Sequence, residues 1–466
     1  MDATAVRERQ RSRPALLRRL AASKALWLAV LASQLLLVVG FWAWNHVTNP
    51  IGNQLTGDAP GQFLAWGRLA GMLAAFGALF QIVLVGRTRW VESAFGPDRL
   101  SRLHHVVGFA LLAAILAHPV LVTLGRAGFS GDSFGAQLLD IVRNEEDVAG
   151  AAVAVGIMLS AVAFSVAVLV RRMRYEWWHA THLTLYAAVA LAFGHQLALG
   201  NDLNRSGWFR AYWIGLYAFV AANLLWFRLL RPLRDWRRHR FRVERLVAEA
   251  GDVTSVHIAG RALERFRARA GQFVIVRFLA PGFRWEAHPF SISAEPDGRG
   301  LRLSIKALGD YTRRVPRLPV GTAAIIDGPH GAFTAERCRG DKALLVAGGI
   351  GITPLRALAA ELAGRGADLV LLYGNRSRDG IVFEKELAGL VASTGRLRVE
   401  HVLSADQSWT GESGNIDRER IARMVPDLLE RDVFLCGPPR MMKSVRSALR
   451  ELGVSGARVY YERFAL

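Results

Sequence analysis

The sequence predicts a multi-domain chain with three successive fold classes: an all-α bundle of six transmembrane helices, an antiparallel β domain, and an α/β domain on a parallel sheet. Three observations predict it. Apolar residues are 52% of the chain, yet their excess lies before residue 231. After the basic stretch LRDWRRHRFRVERL, the pattern changes to short alternating segments such as RFRVERLVA, TSVHIAG and QFVIVRFL, the period-two signature of half-buried strands. From about residue 340, β-like runs alternate with helical ones, the order that lays a parallel sheet between layers of helices. The expected boundaries are 1–23 for a basic N-terminus, 24–230 for the bundle, 231–338 for the β domain and 339–466 for the α/β domain.

Six apolar runs are long enough to cross a bilayer, at about 24–44, 65–85, 104–124, 148–170, 179–199 and 211–230. The first follows Arg7, Arg9, Arg11, Arg13, Arg18 and Arg19 and resembles a signal peptide, but it is long and lacks a cleavage site, so a retained helix is expected. Alternate loops then set the orientation. Residues 86–103 carry Arg87, Arg89, Arg99 and Arg102, residues 171–174 carry three arginines, and residues 231–242 carry six. The intervening loop 125–147 carries Asp132, Asp140, Glu145, Glu146 and Asp147 against Arg126 and Arg143, and reads as a solvated loop. Positive charge collects on the cytoplasmic side, so both termini are expected there, in a six-pass protein of the cell (inner) membrane in contact with lipid.

The net charge of +20 is accounted for by these loops rather than by one basic patch with aromatic platforms, which argues against nucleic acid as a partner. Only Cys338 and Cys436 are present, too few for an iron–sulfur cluster, and nothing implies a disulfide framework.

Two of the apolar runs carry paired histidines. His104 and His118 lie near the two ends of the third run, His182 and His195 near the two ends of the fifth. At ~1.5 Å per residue, the spacings of 14 and 13 residues separate the members of each run by roughly 20 Å. Side by side, the runs offer two facing imidazole pairs, one towards each membrane face. A histidine within hydrocarbon is costly and marks a functional site that needs a partner. Two imidazoles facing across a gap suit a b-type haem, and two stacked pairs make an electron path through the bilayer. The periodicity fits imperfectly, since a 14-residue step returns to within about 40° of the same face while a 13-residue step lands roughly 140° away. His105 competes with His104 and His179 with His182, whereas His118 and His195 have no near competitor.

In the soluble half, Gly348-Gly349-Ile350-Gly351-Ile352-Thr353-Pro354 follows an apolar run and opens a helical one. Glycines there let the backbone approach a pyrophosphate at a helix N-terminus. The next β-like run ends in Tyr373-Gly374-Asn375-Arg376, and an arginine at that strand end pairs with a 2′-phosphate, which favours NADPH over NADH while leaving NADH open.

These motifs fall in a recognisable order: His288-Pro289-Phe290-Ser291, Lys306-Ala307-Leu308-Gly309-Asp310-Tyr311-Thr312, Asp327-Gly328-Pro329-His330-Gly331, the glycine turn, Cys436-Gly437-Pro438-Pro439, and Tyr461-Glu462-Arg463-Phe464. The soluble half resembles the ferredoxin-reductase-type flavoprotein module, a β-barrel flavin domain followed by a nucleotide-binding α/β domain. With the six helices, residues 24–466 resemble the ferric reductase and NADPH oxidase superfamily in a compact bacterial form. The resemblance implies that His288, Pro289, Phe290 and Ser291 line the isoalloxazine of FAD, with the Ser291 hydroxyl near its reactive nitrogen. Lys306 and Thr312 would lie by the flavin's phosphate or ring. Gly348, Gly349, Gly351 and Thr353 would hold the phosphates of the nicotinamide dinucleotide, Arg376 the adenosine phosphate, and Cys436 would approach the nicotinamide. Phe464 would stack on the flavin; Ala465 and Leu466 follow it, as in the reductase branch, whereas the oxidase branch ends on the aromatic. Arg68 resembles an arginine beside the outer haem.

The expected activity is NAD(P)H oxidation, with electrons passing through FAD and two b-type haems to a small-molecule acceptor outside, either chelated ferric iron or dioxygen giving superoxide. Two other readings stay open. One is an electron-delivery subunit for a periplasmic or membrane partner protein, the other a haem-free anchor for a flavin reductase.

Overall fold

The computed structural model describes residues 24–47, 57–165 and 175–463. The basic N-terminus, the arginines of 171–174, the end of the run predicted at 148–170, and Phe464 lie outside the described residues. The chain forms two compact units, one ending at Trp226 and the other comprising Phe95–Asp98 and everything from Phe227 onward.

The first unit is helical: α1 Lys24–Val47, α2 Ala59–Val85, α3 Arg89–Phe95, α4 Pro97–Ser130, α5 Phe134–Asn144, α6 Val148–Ser165, α7 Tyr175–Leu199, α8 Asn201–Asn204 and α9 Gly207–Leu225. Among the described residues, six helices are long and apolar enough to cross a membrane, the last running from Gly207 to His239 through a π-helical turn at Trp226–Leu230. Their outward faces carry exposed apolar side chains such as Leu36, Val106 and Phe109, as lipid contact requires. Inward, Val38, Phe41 and Trp42 of α1 pack on Ala65, Leu69 and Met72 of α2 and on Phe209 and Trp213 of α9. Several polar groups inside are paired: the Trp42 indole donates to the Ala65 carbonyl (2.9 Å), and Trp213 and Tyr217 both donate to Oε1 of Gln196 (2.9 and 3.1 Å). Part of the segment read as a solvated acidic loop is helix α5. Ser133 caps it by accepting from the Ala136 amide, and its apolar positions recur at helical spacing within a short segment that bulk hydropathy overlooks.

The second unit holds α10 Arg231–His239 and then six strands in two antiparallel sheets, β1 Arg242–Glu249, β2 Val253–Ala259 and β5 Gly300–Lys306 in one, β4 His288–Ser291, β3 Phe273–Phe278 and β6 Ala324–His330 in the other. Bridges between Arg242 and Ala323 and between Ile292 and Leu303 join the sheets at both edges and make a barrel. Inward-facing Val256, Ile258, Val274, Val276, Leu303 and Ile326 fill it.

Six parallel strands follow in the order β10-β9-β8-β7-β11-β12, where β7 is Lys342–Gly348, β8 Asp368–Asn375, β9 Leu397–Leu403, β10 Glu412–Ser413, β11 Asp432–Cys436 and β12 Val459–Glu462. Alternate residues of β7 face opposite layers, Leu345 and Ala347 towards one buried core and Leu344 and Val346 towards the other. Helix α12, Ile352–Gly364, packs on the first core, and α15, Pro439–Glu451, on the second. Strand order reverses between β7 and β11, and open α/β sheets bind ligands at such a reversal, beyond the carboxyl ends of the strands.

Candidate functional site

In the helical unit the four histidines meet in two pairs. The ring centroids of His104 on α4 and His182 on α7 are 6.0 Å apart, and those of His118 and His195 are 6.2 Å apart. Two metal–imidazole bonds of about 2 Å, plus about 1.1 Å from each nitrogen to its ring centre, sum to roughly 6.2 Å across one metal ion. Among the described residues, the Nδ1 atoms of His104, His182 and His195 are buried without a hydrogen bond. Spacing and donor set therefore fit a bis-histidine haem at each level. The 13-residue step on α7, which ideal helix geometry turns by roughly 140°, does not keep either histidine from its partner on α4.

The competitors separate. His105 is exposed, with its Nδ1 at 2.8 Å from the Ser101 carbonyl of its own helix, and His179 is also exposed. Trp178 stacks on His182 at 5.2 Å. Nδ1 of His118 lies 2.8 Å from the carbonyl of Gly67 on α2, a contact that leaves Nε2 as the free lone pair. Gly71, one turn along α2, passes so close that a Cβ there would sit 2.6 Å from that ring. Gly67 and Gly71 thus form a GxxxG cradle for His118, a motif legible in the sequence but not singled out from it. Arg68, between them, is half-buried and makes no hydrogen bond or ion pair among the described residues.

In the barrel, β4 presents His288, Pro289, Phe290 and Ser291 in succession. Pro289 is exposed, and Ser291 is buried with a hydroxyl that has no hydrogen-bond partner among the described residues. The His288 ring lies tilted against Tyr311, with centroids 4.0 Å apart, and its Nε2 lies 3.1 Å from Glu286. The Tyr311 hydroxyl is likewise buried without a partner among the described residues, and burial, with the Glu286 carboxylate, pushes it well above its ordinary range. Two unfilled buried hydroxyls beside an exposed rim fit a polar planar cofactor such as flavin; Tyr311 was missed because an aromatic in a short helix reads as core. Lys306 ends β5, half-buried. The Thr312 hydroxyl instead accepts from the amides of Leu308 and Gly309, both at 2.9 Å, so it caps the 310–314 helix.

At the strand-order reversal, Gly348 ends β7 and Cys436 ends β11, with Cys436 fully buried. A Cβ on Gly351 would sit 2.3 Å from the Cys436 carbonyl oxygen, one on Gly348 2.3 Å from Met441 Sδ, and Gly349 has φ of +50°. Only glycine fits such a turn, which fits an approaching pyrophosphate. The Thr353 hydroxyl donates to the Ile350 carbonyl (2.9 Å) and fixes the turn's exit. Arg376, past the end of β8, is exposed and its guanidinium is without a partner among the described residues. A further set was not foreseen. Arg302 of β5 holds both carboxylate oxygens of Glu386 (2.6 and 3.1 Å), which also meets Arg356 of α12 at 2.8 Å, tying the barrel to the parallel-sheet layer.

Comparison with known proteins matches three family models: "ferric reductase like transmembrane component" over residues 70–193, "FAD-binding domain" over 238–333 and "oxidoreductase NAD-binding domain" over 345–447. Ferredoxin–NADP reductase B of Sorangium cellulosum is 33% identical over 216 residues, 43% of this chain and 86% of that one. The glycine betaine monooxygenase reductase subunit of Chromohalobacter salexigens is 30% identical over 241 residues, 49% of this chain, which spans 64% of the relative's length. Among solved structures, the flavohem-like FAD/NAD-binding domain of nitric oxide dioxygenase from Vibrio cholerae is 25% identical with a TM-score of 0.45, over 49% of this chain and 98% of that one.

Proposed function

The chain belongs to the ferric reductase and NADPH oxidase superfamily, as an NAD(P)H-dependent membrane oxidoreductase with FAD- and NAD-binding domains, and from that premise we propose that it carries electrons across the membrane through two haems to an acceptor on the far side. The observation that carries this reading is the pair of imidazole–imidazole spacings, 6.0 and 6.2 Å, at two levels of the same two helices. His104 and His182 would hold one haem, His118 and His195 the other. Bound FAD supplies the exchange between a two-electron donor and one-electron carriers, and bound haem supplies one-electron carriage through the apolar layer.

The chain's own residues do the positioning. The Gly67 carbonyl fixes the His118 tautomer, and Gly71 keeps space for the ring. The Ser291 hydroxyl, without a partner among the described residues, would bond the edge of the isoalloxazine, with His288, Pro289 and Phe290 along it and Lys306 towards a phosphate. Thr312 acts one step removed, by capping the helix that carries Tyr311. Gly348, Gly349 and Gly351 open the backbone amides to the dinucleotide's phosphates, Thr353 holds that turn, and Cys436 closes the nicotinamide end. Arg376 would pair with a 2′-phosphate, favouring NADPH. Phe464 would cover the flavin. With both termini cytoplasmic in the inner membrane, electrons leave a negative interior and gain about 2.3 kcal/mol per 100 mV. The acceptor is a small molecule, chelated ferric iron or dioxygen, and Arg68 would face the haem or the reduced acceptor.

A second reading, delivery to a dedicated partner protein, is favoured by one observation: the relative from Chromohalobacter is itself named a reductase subunit. An anaerobic visible spectrum of purified protein, with haem and flavin counted before and after NADPH, tests the first reading. Two haems and one FAD per chain, reduced to a low-spin b-type spectrum, support it. Flavin bleaching without any haem signal refutes it and leaves a membrane-anchored flavin reductase.

A further inference from the structure

The end of the helical unit that holds His118 and His195 contains a buried titratable pair with no part in the scheme above. His46, in the last turn of α1, is 2% exposed, and its Nε2 lies 3.7 Å from Oδ1 of Asp202 on α8. Neither ring nitrogen makes a hydrogen bond among the described residues. Asp202, 4% exposed, accepts from the Asn45 amide at 3.0 Å. Burial pushes its carboxyl up, but His46, Arg68 and Asn45 outweigh that and hold it below the ordinary range, so it is an anion at neutral pH.

The Asp202 carboxylate and the carboxyl end of α1 both face the imidazole. Three cations face the same region: Arg68 from α2, Arg205 beyond α8, whose Nη1 donates to the Asn45 carbonyl (3.4 Å), and Arg126 from α4, which is paired with Glu145. Asp147 stands on the other flank, its carboxylate against Gly194 beside His195. One residue step along α2 joins the two places, since Arg68, whose charge acts on Asp202, follows Gly67, whose carbonyl meets His118. At 3.7 Å the contact is too long for a hydrogen bond and can tighten when the ring takes a proton.

We propose that the His46–Asp202 pair is a redox-linked proton site. When one electron arrives at the His118–His195 level, its negative charge in a low-dielectric interior draws one proton from outside water onto the free nitrogen of His46, where Asp202 holds it. When the electron passes to the acceptor, the proton leaves with it, so charge balances in both directions. This rests on the proposed function, because it requires an electron carrier at that level.

Anaerobic redox titration of the purified full-length protein, followed by haem absorbance from about pH 5.5 to 8.5, tests it. One of the two midpoint potentials is expected to fall by about 59 mV per tenfold drop in proton concentration over part of that range, while the other stays nearly flat. H46Q, and independently D202N, which keeps the carboxylate's shape without its charge, are expected to flatten the sloping midpoint. Two flat midpoints in the unsubstituted protein, or a slope unchanged in a folded, haem-loaded variant, overturn the inference and leave the proposed function standing. A protein without haem overturns both.

Discussion

The helical unit and the soluble unit build their sites by opposite means. Among the apolar helices, the candidate ligands are side chains that reach across gaps, each imidazole held by one or two contacts: Gly67 for His118, Trp178 for His182. At the end of the parallel sheet the site is made of backbone, with Gly348 against Met441 and Gly351 against Cys436 and Gly437 where no Cβ fits. A site of the first kind is destroyed by removing atoms, and one of the second kind by adding them. Gly71 is the exception that explains the rule, because in the helical unit too the side-chain site needs one place where backbone makes room.

The sharpest contrast comes from His118→Ala. Deleting one imidazole leaves its partner His195 with nothing to share a metal ion, so the haem count is expected to drop from two to one, and acceptor reduction by at least about 100-fold. NADPH-driven flavin bleaching should persist unchanged, since the soluble unit contains none of the altered atoms. Loss of flavin bleaching along with the haem would break the comparison. Gly71→Leu is expected to give the same haem loss with both histidines intact.

The converse experiment adds one methyl group to the sheet-end turn. In Gly351→Ala the new Cβ meets the Cys436 carbonyl at 2.3 Å, a backbone atom that cannot turn aside. About 1–3 kcal/mol of strain is expected, read as a lowered Tm of the soluble unit and slower flavin reduction by NADPH. Haem content should be untouched. Gly349→Ala has open space around it but φ of +50°, so a smaller effect of about 1 kcal/mol is expected. If the two substitutions behave alike, the close approach is not what the turn requires.

How much of this was legible in the sequence follows the same division. Hydropathy and spacing are local, so the six apolar helices and the candidate histidines could be read directly, as could the strand–glycine–helix order around Gly348. What needed coordinates was anything set by long-range contact. His104 and His105 are adjacent in sequence, and the orientation that exposes His105 depends on how α4 is rotated. Arg302 and Glu386 lie 84 residues apart and carry no local signal. Tyr311 reads as core until its unfilled hydroxyl is seen, and Thr312, assigned by resemblance to phosphate or flavin, has its hydroxyl occupied by two amides.

Arg376 tests whether a side chain can dominate specificity in a site otherwise built of backbone. Its exposed guanidinium would make charge-assisted bonds to a 2′-phosphate worth about 1.5–3 kcal/mol, so Arg376→Ala is expected to raise KM for NADPH by roughly 10- to 100-fold. KM for NADH should stay within about twofold. Equal effects on both donors would remove the basis for preferring NADPH.

The smallest effect concerns the link between barrel and sheet. Glu386 is about one-third exposed, with a side-chain exposure of 32%, and accepts from Arg302 and Arg356. Burial pushes its carboxyl up, but the two guanidinium groups outweigh that and hold it below the ordinary carboxylate range. A carboxylate whose folded pKa is depressed contributes stability that is fully present above its unfolded pKa, about 4.3, and is lost as pH falls through the folded value. Solvent screening limits the contribution to about 1 kcal/mol. Glu386→Gln is therefore expected to lower the Tm of the soluble unit by a few degrees at neutral pH, with the gap to the unsubstituted protein closing on acidification below about pH 4. A gap that widens with acid would mean that the two arginines are held by something other than this carboxylate. The barrel and the sheet would then be joined, like the histidine pairs, by contacts that no single charge controls.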